Sequence, residues 1–191
     1  MLEAAIRIFA RNGFFSSTIS QIAKEAGVAD GTIYLYFKNK DDILLQFFSY
    51  KAKEIFDGFW MAVDEGKNSV EKLRNLVKSH LAAFQSDIDM AMVFQSETKG
   101  NHQMRDQLNE MTRKYLSALG DILEQGQDEG LFSKELYMGL TKRFILGAVN
   151  EVINTWVSSG GKYDLVSMGD PLVNLVINGI GAGEKLAPTG P

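Results

Sequence analysis

The chain of 191 residues contains no cysteine. Disulfides, thiolate metal sites and cysteine nucleophiles are therefore excluded, and packing alone must hold the fold. Only two histidines occur. His80 and His102 are solitary, and with Asp87, Asp89 and Glu97 they lack the tight spacing of a zinc site, so no metal is expected. Prolines number three, two of them Pro188 and Pro191 at the very end. Almost the whole sequence is thus free of the residue that breaks helices. No apolar run is long enough to span a bilayer, and Glu3, Arg7 and Arg11 interrupt the opening segment as no secretory signal would. A cytoplasmic protein without membrane contact is the expectation. Positive charge is not in excess either. The net charge is −4, and residues 1–50 hold five basic and five acidic side chains, which disfavours non-specific coating of nucleic acid. Serines occur without a nucleophile elbow, and "NGIGAGE" follows no strand, so neither a hydrolase nor a phosphate-cradling loop is indicated. The chain reads as a non-enzyme without a cofactor.

What is present is helical periodicity. Hydrophobic residues make up 45% and charged residues 23%, as in an ordinary globular protein long enough to bury a core. The fold class is all-α. Leu2, Ala5, Ile6 and Phe9 form the first stripe, ended by Gly13. Thr18 to Gln21 is a capping-box pattern, with Ile19, Ile22, Ala23 and Ala26 as its buried stripe and Gly27 as a C′ residue. A third, brief helix is predicted from Ala29 or Asp30 to Tyr36, with Asp30 as its cap. Asn39–Asp42 then opens a long helix to about residue 62. Further helices are predicted near 69–86, 88–98, 103–129, 134–157 and 171–180, Pro171 suiting a first helical position. The tail 186–191 reads as frayed.

Two helices joined by a short turn, the first well capped and the second short, is the helix-turn-helix pattern. The first helix lies across the phosphate backbone and the second enters the major groove. Ile33 and Phe37 are placed to pack inward, leaving Thr32, Tyr34 and Tyr36 elsewhere. Their hydroxyls suit phosphate oxygens, although partial core packing would suit the two tyrosines equally. Gly31 leaves room for close backbone approach. Lys40 stands in the first turn of a helix, where the macrodipole disfavours a cation. Either an external phosphate shares that helix end with it, or Asp41 and Asp42 offset the dipole and Lys40 points to water.

The run "TISQIAKEAGVADGTIYLYFKNKDDIL", preceded by "AAIRIFARNGF", resembles the N-terminal signature of TetR-family repressors. The late run "TWVSSGGKYDLVSM" narrows the likeness to family members that regulate fatty-acid degradation and respond to long-chain acyl-CoA. The resemblance implies an N-terminal three-helix DNA-binding domain, residues 1–46, with helix 4 bridging to about 62. An effector-binding and dimerisation domain follows at 47–185. It implies a homodimer on a palindromic double-stranded operator. Thr18, Tyr36 and Lys40 would meet phosphates, while Ala29, Asp30, Gly31, Thr32 and Tyr34 would form the groove face. The family often has serine where this chain has Ala29, which removes one hydroxyl.

The same resemblance implies a ligand site in the second domain. Seven of the eight methionines lie after residue 60. A flexible, polarizable side chain suits a cavity for apolar chains, and it equally suits an ordinary core. The candidate lining residues are Phe84, Met92, Phe94, Tyr115, Leu119, Phe144 and Trp156, with Arg105 as a cation for coenzyme A phosphates. Arg113, Lys114, Arg74 and Lys78 are further cation candidates. The stretches 134–157 and 171–180 are the expected dimer face. Two other readings stay open: a related repressor sensing a different apolar ligand, and an acyl-CoA carrier.

Overall fold

The computed structural model describes residues 1–97 and 104–181. The expected tail at 186–191, the connector "KGNHQ" and His102 lie outside the described residues, and the end of the expected second domain does too. Most of the described residues are helical, in the order α1 (Leu2–Asn12), α2 (Ile19–Ala26), α3 (Asp30–Tyr34), α4 (Lys40–Asp64), α5 (Ser69–Gln85), α6 (Ile88–Glu97), α7 (Arg105–Asp128), α8 (Met138–Ser158) and α9 (Gly169–Ile180). Among the described residues no helix is long and apolar enough to cross a membrane.

Two hydrophobic cores organise these helices. The N-terminal core gathers Ile6 and Phe9 of α1, Ile22 of α2, Ile33 and Phe37 around α3, and Ile43, Leu44, Phe47 and Phe48 of α4. Each of these follows the helical stripe read from the sequence. Three later residues complete it: Met90 and Val93 of α6, and Met104 just before α7. Thus α6 packs directly on α1. The C-terminal core centres on α5, whose Leu73, Leu76, Val77 and Leu81 are essentially inaccessible to solvent. Helices α4, α7, α8 and α9 surround it.

Local signals explain most helix ends. The Thr18 hydroxyl accepts from the Gln21 amide at 3.2 Å, and the Gln21 side chain accepts from the Thr18 amide at 2.9 Å. This is the capping box, with two donors matched reciprocally. Gly27 ends α2 at φ 69°, in the left-handed region that favours glycine. Three expectations need correction. The third helix stops at Tyr34 rather than Tyr36, and its cap is Ala29 with no side-chain bond. Asp30 instead accepts a hydrogen bond from the Ser20 hydroxyl, fastening α3 to α2. Helix α9 begins at Gly169, so Pro171 is its third residue rather than its first.

The connector after α7 also behaves unlike a loop. Phe132 is buried at 1% exposure, and its ring lies so close to Gly126 that a Cβ there would stand 2.0 Å from it. Glycine is required at 126 for that contact. Ser133 then donates to the Ile180 carbonyl at 2.9 Å, tying the connector to the end of α9.

Candidate nucleic-acid face and ligand chamber

The brief α3 presents its outer side to solvent. Tyr34 is 60% exposed and Tyr36 62%, while Thr32 is half-buried. Around Gly31 a Cβ would meet nothing within 4 Å, so Ala29, Asp30 and Gly31 form an open surface. A concavity of ≈ 280 Å³ lies beside it, between the starts of α2 and α4, and includes Thr18, Tyr34, Lys38 and Asn39 in its lining. The Thr18 hydroxyl already accepts a bond, but its own hydrogen remains available to an outside oxygen.

Lys40 does not stand ready for an outside phosphate. Its ammonium donates to the carbonyls of Phe14 at 2.8 Å, Phe15 at 3.1 Å and Ser17 at 2.6 Å. An ammonium has three donors, and all are used. It also sits 5.0 Å from the Phe14 ring centroid, a cation–π distance. The sequence expectation is therefore revised: Lys40 staples the turn between α1 and α2 to the start of α4. Ser17, buried below, donates to the Gly13 carbonyl at 2.7 Å and completes that turn. Asn39 caps α4 by accepting from the Asp42 amide at 2.8 Å. Asp42 accepts from the Lys38 amide, which is the main reason its carboxyl is held below the usual carboxylate range.

Other charges near this face are also engaged. Arg7 donates to Glu25 at 2.8 Å and Arg11 does so at 3.2 Å. The bond from Arg7 is the leading cause of the lowered Glu25 pKa. Exposed Lys38 lines the concavity together with the engaged Lys40, and Leu35 is 79% exposed. Sequence reasoning named neither Lys38 nor Leu35 for this surface. Their signal was their place between the two tyrosines and Lys40.

The second candidate site lies between α4, α5, α6, α7 and α8. Phe59, His80, Phe84, Phe94 and Tyr115 surround a cavity of ≈ 90 Å³. Their rings interlock, with centroids 4.9 Å apart for His80 and Tyr115 and 5.4 Å for Phe84 and Phe94. Among the described residues, the buried side-chain polar atoms lacking a hydrogen-bond partner are His80 Nδ1 and the Tyr115 hydroxyl. Burial pushes His80 down to about 4 and Tyr115 upward, so both are neutral near pH 7.

Two further spaces adjoin this chamber. An outer groove of ≈ 470 Å³ between α4 and α7 shares Phe56 and Met111 with it and carries Lys53, Trp60 and Lys114. A further space of ≈ 140 Å³ shares Phe84, Phe94 and Asn150 with it and is also lined by Gln95, Ile153 and Asn154. The three spaces are neighbours through these shared lining residues.

The structure places the expected lining residues unevenly. Phe84, Phe94 and Tyr115 meet at the chamber. Met92 is 40% exposed and Phe144 61% exposed, so both face away from it. Leu119 is sealed in the C-terminal core. Trp156 donates to the Tyr163 carbonyl at 2.8 Å and so secures the "SSGGKYD" connector rather than lining the chamber. Arg105 is exposed outside the groove. Of the methionines, Met90 and Met104 belong to the N-terminal core, and Met111 lines the chamber. Arg74 and Lys78 both bind Asp170, at 2.5 and 2.7 Å, and Arg113 pairs with Glu110. Lys114 lines the groove 3.9 Å from Glu110, and Lys53 and Trp60, which the sequence reading did not name, line it too. They sit on α4 opposite Lys114, a juxtaposition that spacing within one helix cannot reveal. A separate apolar surface runs along α8 and α9, where Leu140, Phe144 and Leu175 are 63%, 61% and 74% exposed.

Residues 1–47 match the family described as bacterial regulatory proteins, tetR family, and residues 48–179 match the C-terminal region of YsiA-like proteins. The chain is 37% identical over 181 residues to the fatty acid metabolism regulator protein of Bacillus subtilis (strain 168), covering 94% of this chain and 93% of that protein. It is similar in structure to the transcriptional regulator FadR from Bacillus subtilis in complex with stearoyl-CoA, at 37% identity and a TM-score of 0.85, over 94% of this chain and 97% of that one. The fatty acid degradation regulator FadR from Bacillus halodurans aligns at 37% identity and a TM-score of 0.86, over 93% of each chain.

Proposed function

We propose that this chain, which belongs to the TetR family of bacterial regulatory proteins, is a cytoplasmic repressor of fatty-acid degradation genes that long-chain acyl-CoA releases from DNA. The observation that carries this reading is the aromatic chamber beside a groove that holds Lys53, Trp60 and Lys114, in a relative of a regulator solved with stearoyl-CoA.

The DNA-reading part comprises residues 1–46. Helix α3 enters the major groove with Ala29, Asp30, Gly31, Thr32 and Tyr34, and Leu35 offers an apolar contact for a thymine methyl. Thr18, Tyr36 and Lys38 meet the flanking phosphates, while Lys40 holds the turn that positions Thr18. So few polar side chains read bases sparsely. One copy is therefore a weak reader, and a two-fold dimer on a palindrome supplies the affinity. The exposed apolar face of α8 and α9 is the dimer surface, which gives Phe144 its use.

In the effector part, Lys53 and Lys114 attract the phosphates of coenzyme A, and Trp60 offers a face for the adenine ring. The acyl chain passes Phe56 and Met111 into the chamber. Phe94 then couples the two cores. It lies 5.4 Å from Phe84 in the chamber and 5.6 Å from Phe48 of α4. Its neighbours Met90 and Val93 are buried against the DNA-reading helices. A chain that displaces Phe94 shifts α6, and with it α1 and the start of α4. The two recognition helices, held roughly 34–36 Å apart on DNA, then lose their spacing. Operator affinity falls by the ratio of effector affinities for the two arrangements.

Fluorescence anisotropy of the full-length protein on a selected palindromic duplex tests this. Stearoyl-CoA is expected to release the duplex while free coenzyme A does not. Retention of the duplex at saturating stearoyl-CoA would rule out release by this effector.

A further inference from the structure

We propose that the His80–Tyr115 pair is a carbonyl-recognition site that binds the thioester oxygen of the acyl effector. The inference rests on the acyl-CoA reading above and goes beyond it by naming which atom of the effector is read and by what.

The grounds are geometric. Buried side-chain polar atoms in folded proteins nearly always have partners, so each exception calls for an explanation. Here two exceptions occur together, on facing helices, with ring centroids 4.9 Å apart. Both belong to the lining of one cavity whose other members are mostly aromatic or aliphatic. A purely apolar chain gains nothing from a phenol and an imidazole held there, since it leaves both polar atoms unmatched. A carbonyl oxygen matches both. It has two lone pairs, the Tyr115 hydroxyl is a donor, and neutral His80 donates from Nδ1 in one of its two tautomers. The lining holds no carboxylate or ammonium group to compete for either atom.

Position along the route selects the thioester rather than the chain end. The chamber is one partition inward from the groove bearing Lys53, Trp60 and Lys114, the partition being Phe56 and Met111. On its other side it shares Phe84, Phe94 and Asn150 with a further space, which Ala91, Gln95, Ile153 and Asn154 also line. A molecule with its nucleotide in the groove and its tail running past Phe84 and Phe94 carries its thioester between the two. That oxygen would then meet the pair beside Phe94, the ring that contacts the DNA-reading core through Phe48.

The test compares stearoyl-CoA with S-octadecyl-CoA, a thioether that lacks only the carbonyl oxygen, by calorimetry on the full-length dimer. The wild type is expected to bind the thioether about 10- to 100-fold more weakly, the range for leaving buried polar groups unmatched. In Tyr115→Phe the gap should shrink to a few-fold, with thermal stability of the free protein unchanged or raised. His80→Asn provides the second arm and should also narrow the gap. With a carbonyl-labelled thioester, the infrared stretch should lie at lower frequency in the wild type than in Tyr115→Phe. Equal wild-type affinity for both molecules overturns the proposal while leaving the acyl-CoA reading intact. A Tyr115→Phe variant that weakens both molecules alike overturns it too, since that is a packing effect. Binding of neither molecule overturns the proposal together with the reading on which it rests.

Discussion

The turn between α1 and α2 and the chamber between α5 and α7 treat polar groups in opposite ways. In the turn, the Lys40 ammonium and the Ser17 hydroxyl all find backbone carbonyls, and Thr18 and Gln21 match each other. In the chamber, the His80 and Tyr115 rings are in contact, yet neither His80 Nδ1 nor the Tyr115 hydroxyl has a hydrogen-bond partner. Saturated hydrogen bonding rigidifies, because any movement strands a polar group at a cost of about 1–3 kcal/mol. Unmatched groups do the reverse and leave that free energy for an incoming molecule to release. One region is thus suited to hold a fixed shape against DNA. The other is suited to change when it is filled.

The largest expected effect comes from removing the saturated side of this contrast. Lys40→Met deletes three charge-assisted bonds to carbonyls and should cost about 3 kcal/mol, lowering Tm by roughly 5–10 °C in a melt followed by circular dichroism. Were Lys40 a phosphate ligand instead, stability would hold and only operator affinity would drop.

The chamber side is sharpened by pH. Burial lowers His80 from 6.5 to about 4, so the folded state keeps it neutral while the unfolded chain takes up a proton below pH 6.5. The stability this neutrality protects is fully present above pH 6.5 and is lost as pH falls toward 4. The loss should reach about 2 kcal/mol by pH 5. Denaturant titrations at pH 7 and pH 5 should show that loss in the wild type and not in His80→Asn.

A smaller effect separates the two regions functionally. Tyr36→Ala should weaken operator binding about tenfold, roughly 1.4 kcal/mol, without changing stearoyl-CoA affinity. A parallel loss of ligand binding would mean that the two regions are not separable in this way. The smallest effect concerns Lys38. Its replacement by alanine should reduce the salt dependence of operator binding by about one unit of slope, measured from 50 to 200 mM salt. Lys40→Met should leave that slope unchanged.

How much of this was legible beforehand varied with the range of the interaction. The capping box at Thr18 and Gln21 and the glycine at 27 were readable because each lies within one helical turn of its partner. The stripe of Ile33 and Phe37 was readable because burial follows the helical period. Lys40 was not, since the carbonyls it binds lie 23 to 26 residues earlier. Phe144 and Phe84 look alike in sequence, yet one faces solvent and the other the chamber. Helix periodicity names a stripe without saying which neighbour covers it.

By itself, then, the order of residues determined an all-helical chain, its helix boundaries to within a few residues, and a helix-turn-helix near its start. Those properties depend on contacts between residues three or four apart, which any reader of the chain can pair. Only the tertiary structure decided that α6 completes the DNA-reading core, that Lys40 is a staple, and that His80 and Tyr115 line one chamber. Those facts depend on which helices meet, and packing across the bundle sets that.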